Sequence, residues 1–256
     1  MARFAPDSPL VTHVAVSPNH DARALGAPDI LLLHYTGMES TEAAIQRLCD
    51  REAKVSSHYV VDEDGRISQL VAEALRARHA GVSSWEGVTD INSRSIGIEI
   101  GNGGHDFGYP DFPARQIAAV IALSRDIIQR HVIRADRVLA HSDVAPARKN
   151  DPGEKFPWDQ LAAAGVGLWV KPHPVAGSDE LKRGDSGDAV AALQRDLADY
   201  GYGIEATGRF DDKMREVVVA FQRHFRPTRV DGIADVSTVK TLQALRAARD
   251  KLRHGT

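Results

Sequence analysis

The chain has 256 residues, with 32 Lys and Arg against 35 Asp and Glu and a formal net charge of -3, which leaves no basic surplus for holding a nucleic acid. That length suffices for one sizeable core plus a small extra domain. The single cysteine, Cys49, excludes an intrachain disulfide, and no apolar run approaches a membrane span.

The N-terminal stretch from Met1 to Pro9 contains no apolar leader core, so the chain is expected to stay in the compartment where it is made. The first strong element is Ile30-Leu31-Leu32-Leu33, an unbroken apolar run that stops at His34-Tyr35-Thr36-Gly37. Continuous apolar residues read as a strand covered on both faces. In open α/β sheets ligands bind beyond strand ends, which makes His34 a candidate ligand. An amphipathic helix is predicted over Thr41 to Glu52, with Cys49 as a small buried residue.

The segment Ser95-Ile96-Gly97-Ile98-Glu99-Ile100 alternates strictly, with the isoleucines on one face and Gly97 and Glu99 on the other. An unpaired buried charge is costly, so Glu99 faces either solvent or a polar cavity. In a cavity its raised pKa would suit a general base. The following Gly101 to Gly108 segment lacks the Lys-Ser/Thr ending of a phosphate loop and is expected to be a flexible rim.

Val138-Leu139-Ala140 is a second apolar run, and it delivers His141 as the first run delivers His34. From His141 to Gly153 the chain reads as a loop, interrupted by Pro146 and Pro152-Gly153. It carries Lys149 and Asp151. Catalytic zinc takes three protein ligands from His nitrogen and carboxylate oxygen and leaves one position open. His34, His141 and Asp151 fit that set, and Lys149 could stabilise an oxyanion. Lys54, His58, His79, Trp85 and Asn102 are candidate substrate contacts, each weighed against a structural or surface role. His13, His20, His105, His131, His173, His224 and His254 are expected to lie on the surface or in loops without chemistry.

A Gly- and Pro-rich stretch from Gly165 to Ser178 reads as a linker or docking segment. Beyond it Val190-x-x-Leu193-Gln194, Val218-x-x-Phe221-Gln222 and Val239-x-x-Leu242-Gln243 repeat, each after a turn glycine. The i, i+3 spacing predicts three short helices in one small bundle.

With His34, the Ser95–Glu99 strand, and His141 followed by Lys149 and Asp151 in hand, the chain resembles the zinc N-acetylmuramoyl-L-alanine amidases of the type 2 amidase family. Val55-Ser56-Ser57-His58-Tyr59 and Arg78-His79-Ala80-Gly81-Val82-Ser83 add to the match, which covers roughly residues 10 to 165. Close relatives often carry Trp where this chain has Arg78. The resemblance implies an α/β fold with a central mixed sheet flanked by helices and one zinc ion on His34, His141 and Asp151. Glu99 and Lys149 would be catalytic, and the lactyl amide of N-acetylmuramic acid to L-alanine would be cleaved.

The tail, through Leu181-Lys182-Arg183-Gly184-Asp185, Leu193-Gln194, Phe221-Gln222 and Val230-Asp231-Gly232, resembles a three-helix peptidoglycan-binding domain. The expected division is a catalytic domain over 1–168, a linker over 169–178 and the helical domain over 179–256. Peptidoglycan or a muropeptide is the expected partner, with no nucleic acid and no membrane span. The expected location is the cytoplasm, or the periplasm if a leader was removed. An inert muropeptide binder would be expected to have lost a ligand or the base, and none is lost. A stem-cutting zinc peptidase commonly shows a His-x-His pair, which this chain lacks near the site.

Overall fold

The structure, a computed structural model, describes residues 4–174 and 179–255. In chain order these form β1 (His13–Val14), β2 (His20–Ala22), β3 (Ile30–Tyr35), α1 (Thr41–Cys49), β4 (Tyr59–Val61), β5 (Ile67–Gln69), β6 (Leu75–Ala77), α2 (Ile91–Arg94) and β7 (Ser95–Ile100). They continue with α3 (Ala114–His131), β8 (Val138–Ala140), α4 (His141–Val144), α5 (Trp158–Ala163), β9 (Glu180–Leu181), α6 (Asp188–Tyr200), α7 (Asp212–Phe225), β10 (Ala234–Asp235) and α8 (Val236–His254).

Six strands form one mixed sheet in the order β1-β5-β4-β7-β3-β8. Only β4 and β5 run antiparallel; the other neighbours are parallel. The aliphatic run of β3 sits at 0–1% exposure because both sheet faces are covered. On one face α3 lays Ile117, Val120, Leu123 and Ile127 over Leu31, Leu33, Ile96, Ile98 and Ile100, a helical stripe meeting the alternate residues of two strands. On the other face Ile30, Leu32 and Leu139 pack into a cluster that continues through Trp85 into the C-terminal helices.

Helix α1 ends at Cys49, short of the expected Glu52, because Asp50 turns extended and its side chain accepts the Glu52 amide. Cys49 is only half-buried, with its thiol on the Ala15 carbonyl. The three repeats form α6, α7 and α8. Their first two glutamines explain the signature: buried Gln194 accepts the Gly208 amide, and buried Gln222 accepts those of Asp231 and Gly232. Each amide side chain stitches a turn whose glycine has positive φ, +70° at Gly208 and +76° at Gly232. The third, Gln243, is exposed.

The expected linker is packed in its first half, where Leu168, Trp169 and Val170 lie against the core. Its residues 175–178 lie outside the described residues. No helix among the described residues is long and apolar enough to cross a membrane.

Candidate active site

Parallel register assembles the site. His34 stands opposite Glu99 on β7, and Leu33 stands opposite Ala140 on β8, so that His141 follows beside His34. Three neighbouring strands thus deliver Glu99, His34 and His141 to one end of the sheet. Asp151 arrives from the loop beyond α4, where its carbonyl accepts the Ser142 amide at 3.0 Å. The next turn is pinned by Tyr109, whose hydroxyl donates to the Pro152 carbonyl at 3.0 Å. Gly153 has φ +85°, and a Cβ there would collide with that hydroxyl.

The expected loop from His141 opens instead as one turn of helix. Asp143, at its third position, reaches back to accept the Ala140 amide at 2.8 Å, the acidic half of a capping box.

Nδ1 of His34, Nδ1 of His141 and Oδ2 of Asp151 lie 2.9–3.0 Å from one another. All three residues are at most 5% exposed. The outer ring nitrogens have their own partners. His141 Nε2–H donates to the Ala80 carbonyl at 3.0 Å, which also accepts Arg148 at 2.7 Å. His34 Nε2–H donates to His79 Nδ1 at 3.0 Å, and His79 Nε2–H reaches Ser95 Oγ at 3.3 Å. In these tautomers both Nδ1 lone pairs face the centre, as metal-ligating histidines require.

Burial, aided by His141, lowers the His34 pKa to about 4, so its ring is neutral at pH 7. Burial pushes Asp151 upward, but the bonds and charges of His141 and His34 outweigh it and hold the carboxyl well below its usual range. Glu99 behaves oppositely. Burial first and the Asp151 charge second raise it well above the usual range, with Lys149 opposing. Its Oε2 is buried without a partner. One neutral-ring and carboxylate set beside a raised carboxyl is the separation of roles that acid–base chemistry needs.

These groups open onto a cleft of about 640 Å³ lined by His34, His79, Glu99, His141, Lys149 and Asp151, a volume suited to a small ligand. Arg47, Met38 and Phe107 also line it; neither periodicity nor spacing marks them.

Of the candidate substrate contacts, only His79 lines the cleft. Its imidazole lies over Gly97, where a Cβ would come within 2.6 Å of its Nδ1. Trp85 is not a substrate contact: it is 1% exposed and packs edge-on against Tyr200 and Tyr202 of the C-terminal helices. His58 is fully buried and outside the cleft lining, edge-on to His79 and accepting the Gly97 amide on Nδ1, and burial with the Arg23 charge lowers its pKa to about 3. Asn102 is 3% exposed and organises its own loop, accepting the Gly104 amide and donating to the Pro110 carbonyl. Lys54 is exposed at φ +57° and lies outside the cleft lining. Three histidines set aside as surface or loop residues are engaged: His105 bonds Tyr35 at 3.0 Å and stacks on Tyr109, His131 bonds Glu73 at 2.7 Å, and His224 is buried against Asp143. The expected flexible rim contains a 3-10 turn, His105–Phe107.

Comparison with known proteins agrees with this geometry. Residues 24–154 match the N-acetylmuramoyl-L-alanine amidase family, and residues 186–242 match a putative peptidoglycan binding domain. The N-acetylmuramoyl-L-alanine amidase AmiD of Escherichia coli is 40% identical over 230 residues, covering 84% of this chain and 81% of the relative. Its structure in complex with anhydro-N-acetylmuramic acid-L-Ala-D-gamma-Glu-L-Lys has a TM-score of 0.75 at 38% identity, over 88% of this chain and 91% of that one. AmpDh3 of Pseudomonas aeruginosa, in complex with an anhydromuramic pentapeptide, has a TM-score of 0.71 at 33% identity over 87% and 92%. On this match of catalytic region, tail and overall structure, the chain belongs to the N-acetylmuramoyl-L-alanine amidase family.

Proposed function

We propose that this amidase hydrolyses the amide between the lactyl group of N-acetylmuramic acid and L-alanine with one zinc ion on His34, His141 and Asp151. Glu99 is the base and Lys149 the oxyanion partner. The observation that carries the reading is the triangle of buried donor atoms, 2.9–3.0 Å apart, beside an unpartnered Glu99 oxygen. Two imidazole nitrogens and one carboxylate oxygen are the donor set that a catalytic zinc ion takes.

When bound, zinc supplies Lewis acidity that polarises the oxygens reaching it. Glu99, whose proton affinity is raised by burial and by the Asp151 charge, takes the proton of the attacking water and passes it to the departing L-alanine nitrogen. Lys149, on the cleft wall, offers its ammonium to the charge that develops on the carbonyl oxygen. His79 and the Ala80 carbonyl orient the two imidazoles from behind.

The catalytic part extends to about residue 168, and the helical part from residue 179 holds the polymer. Both 1,6-anhydro muropeptides and wall polymer are substrates in this reading. It is supported by the anhydro-muropeptides bound in the two related structures and by the peptidoglycan-binding match in the tail. The test is mass spectrometry of products from zinc-loaded and chelated protein on an anhydro muropeptide and on sacculi. Stem peptide beginning at L-alanine, lost on chelation, is the expected product. Cuts within the stem would favour a peptidase, and no product would favour an inert binder.

A further inference from the structure

Asp143 is fully buried, at 0% exposure, two residues beyond His141. Three donors meet its carboxylate. One is local, the Ala140 amide at 2.8 Å on Oδ2. The other two come from the C-terminal helical region: the Tyr202 hydroxyl donates to Oδ1 at 2.7 Å, and His224 Nδ1–H donates to Oδ2 at 2.7 Å. His224 is itself 2% exposed and is fixed in a stack, with Trp158 and Phe225 on either side at ring separations of 3.7 Å. Tyr202 is held edge-on to Trp85.

A buried carboxylate stays in place only while its donors do, since removing a partner leaves an uncompensated charge. Here the same carboxylate caps the turn on which His141 rides. Its position therefore depends on two side chains 59 and 81 residues away in sequence.

We infer that Tyr202 and His224 are positioning residues for His141, so that the C-terminal helical region is a working part of the metal centre as well as a polymer-binding attachment. This rests on the reading of His141 as a ligand. Partners behind a metal ligand typically change metal affinity about 10- to 100-fold when removed, and a clamp one residue further out is expected near the lower figure.

The experiment measures zinc release from the full chain to a chromogenic chelator, together with the visible absorption of the cobalt-substituted protein. Tyr202→Phe and His224→Leu should release zinc about tenfold faster with an altered cobalt band. His224→Asn, which restores an N–H at the Nδ1 position, should recover most of the retention. Arg253→Ala breaks ion pairs to Asp136 and Glu86 elsewhere in the same interface and should release zinc as the wild type does. Should His224→Leu fail to fold, Tyr202→Phe carries the test, because it removes one oxygen and leaves the ring against Trp85. Wild-type retention in Tyr202→Phe and His224→Leu, or equal acceleration in Arg253→Ala, would overturn the clamp while the wild type still held its zinc. A wild type that holds no zinc would overturn the ligand reading itself, and the clamp with it.

Discussion

Glu99, half-buried with its Oε2 sealed off, and fully buried Glu73 are carboxylates with opposite fates, and the difference lies in their partners. Glu99 has an oxygen without one and is pushed up by burial and by Asp151. Glu99→Gln should keep zinc and lower turnover by about 10²- to 10⁴-fold, the range for a general base; stopped assays with metal analysis check both halves, and full rate would remove Glu99 from the role. Glu73 is 3% exposed, and although burial raises it, bonds from Arg130, His131 and Tyr59 bring it down to about 2 from 4.5. A depressed folded-state pKa contributes stability that is complete above the unfolded value and is lost as pH falls. The loss should run from about pH 4.5 to about pH 2 and amount to roughly 3 kcal/mol. Denaturant titrations across that window should show the slope in the wild type and a flatter profile in Glu73→Gln.

At the scale of elements, the site is made by register. A one-residue slip between β3 and β7 would turn His34 and Glu99 to opposite faces, so the aliphatic residues of α3 and both strands hold the chemistry in place as well as the core. Gly97 serves the same end by absence: the space of its missing side chain holds the His79 ring that orients His34. Gly97→Ala should cost about 1–3 kcal/mol, as overpacking does, and should hasten zinc release by displacing His79. Thermal unfolding and chelator kinetics check the pair; a variant with unchanged metal release would show that His79 does not set the ligand.

Across the whole molecule, one apolar cluster runs from Ile30, Leu32 and Leu139 of the sheet through Trp85 to Tyr200, Tyr202 and Phe225 of the helices. A shared core makes the two regions one cooperative unit rather than beads on a string. Calorimetry should therefore record a single unfolding transition. Trp85→Ala, an interior truncation worth about 3–5 kcal/mol, should lower that transition as one, or split it if the regions can then separate. Two transitions in the wild type would contradict the shared core. The sequence offered Trp85 as a substrate contact or a surface residue; it is neither exposed nor in the cleft, because its burial depends on residues more than a hundred positions later.

The sequence by itself determined the parts whose signals are local. Aliphatic runs ending in histidine, the alternation around Glu99, the spacing from His141 through Lys149 to Asp151, and the repeated apolar pairs before glutamine are all properties of a few adjacent residues. They sufficed for the fold class and the family, which the structure and its relatives bear out. Tertiary structure decided what depends on distant partners. His58 and His79 look alike in the chain and their rings pack edge-on, yet one is fully buried and the other lines the cleft. Asp143 and His224 carry no motif, because a buried charge and its donor are recognised only when folding brings them together and excludes the water that would otherwise serve either one.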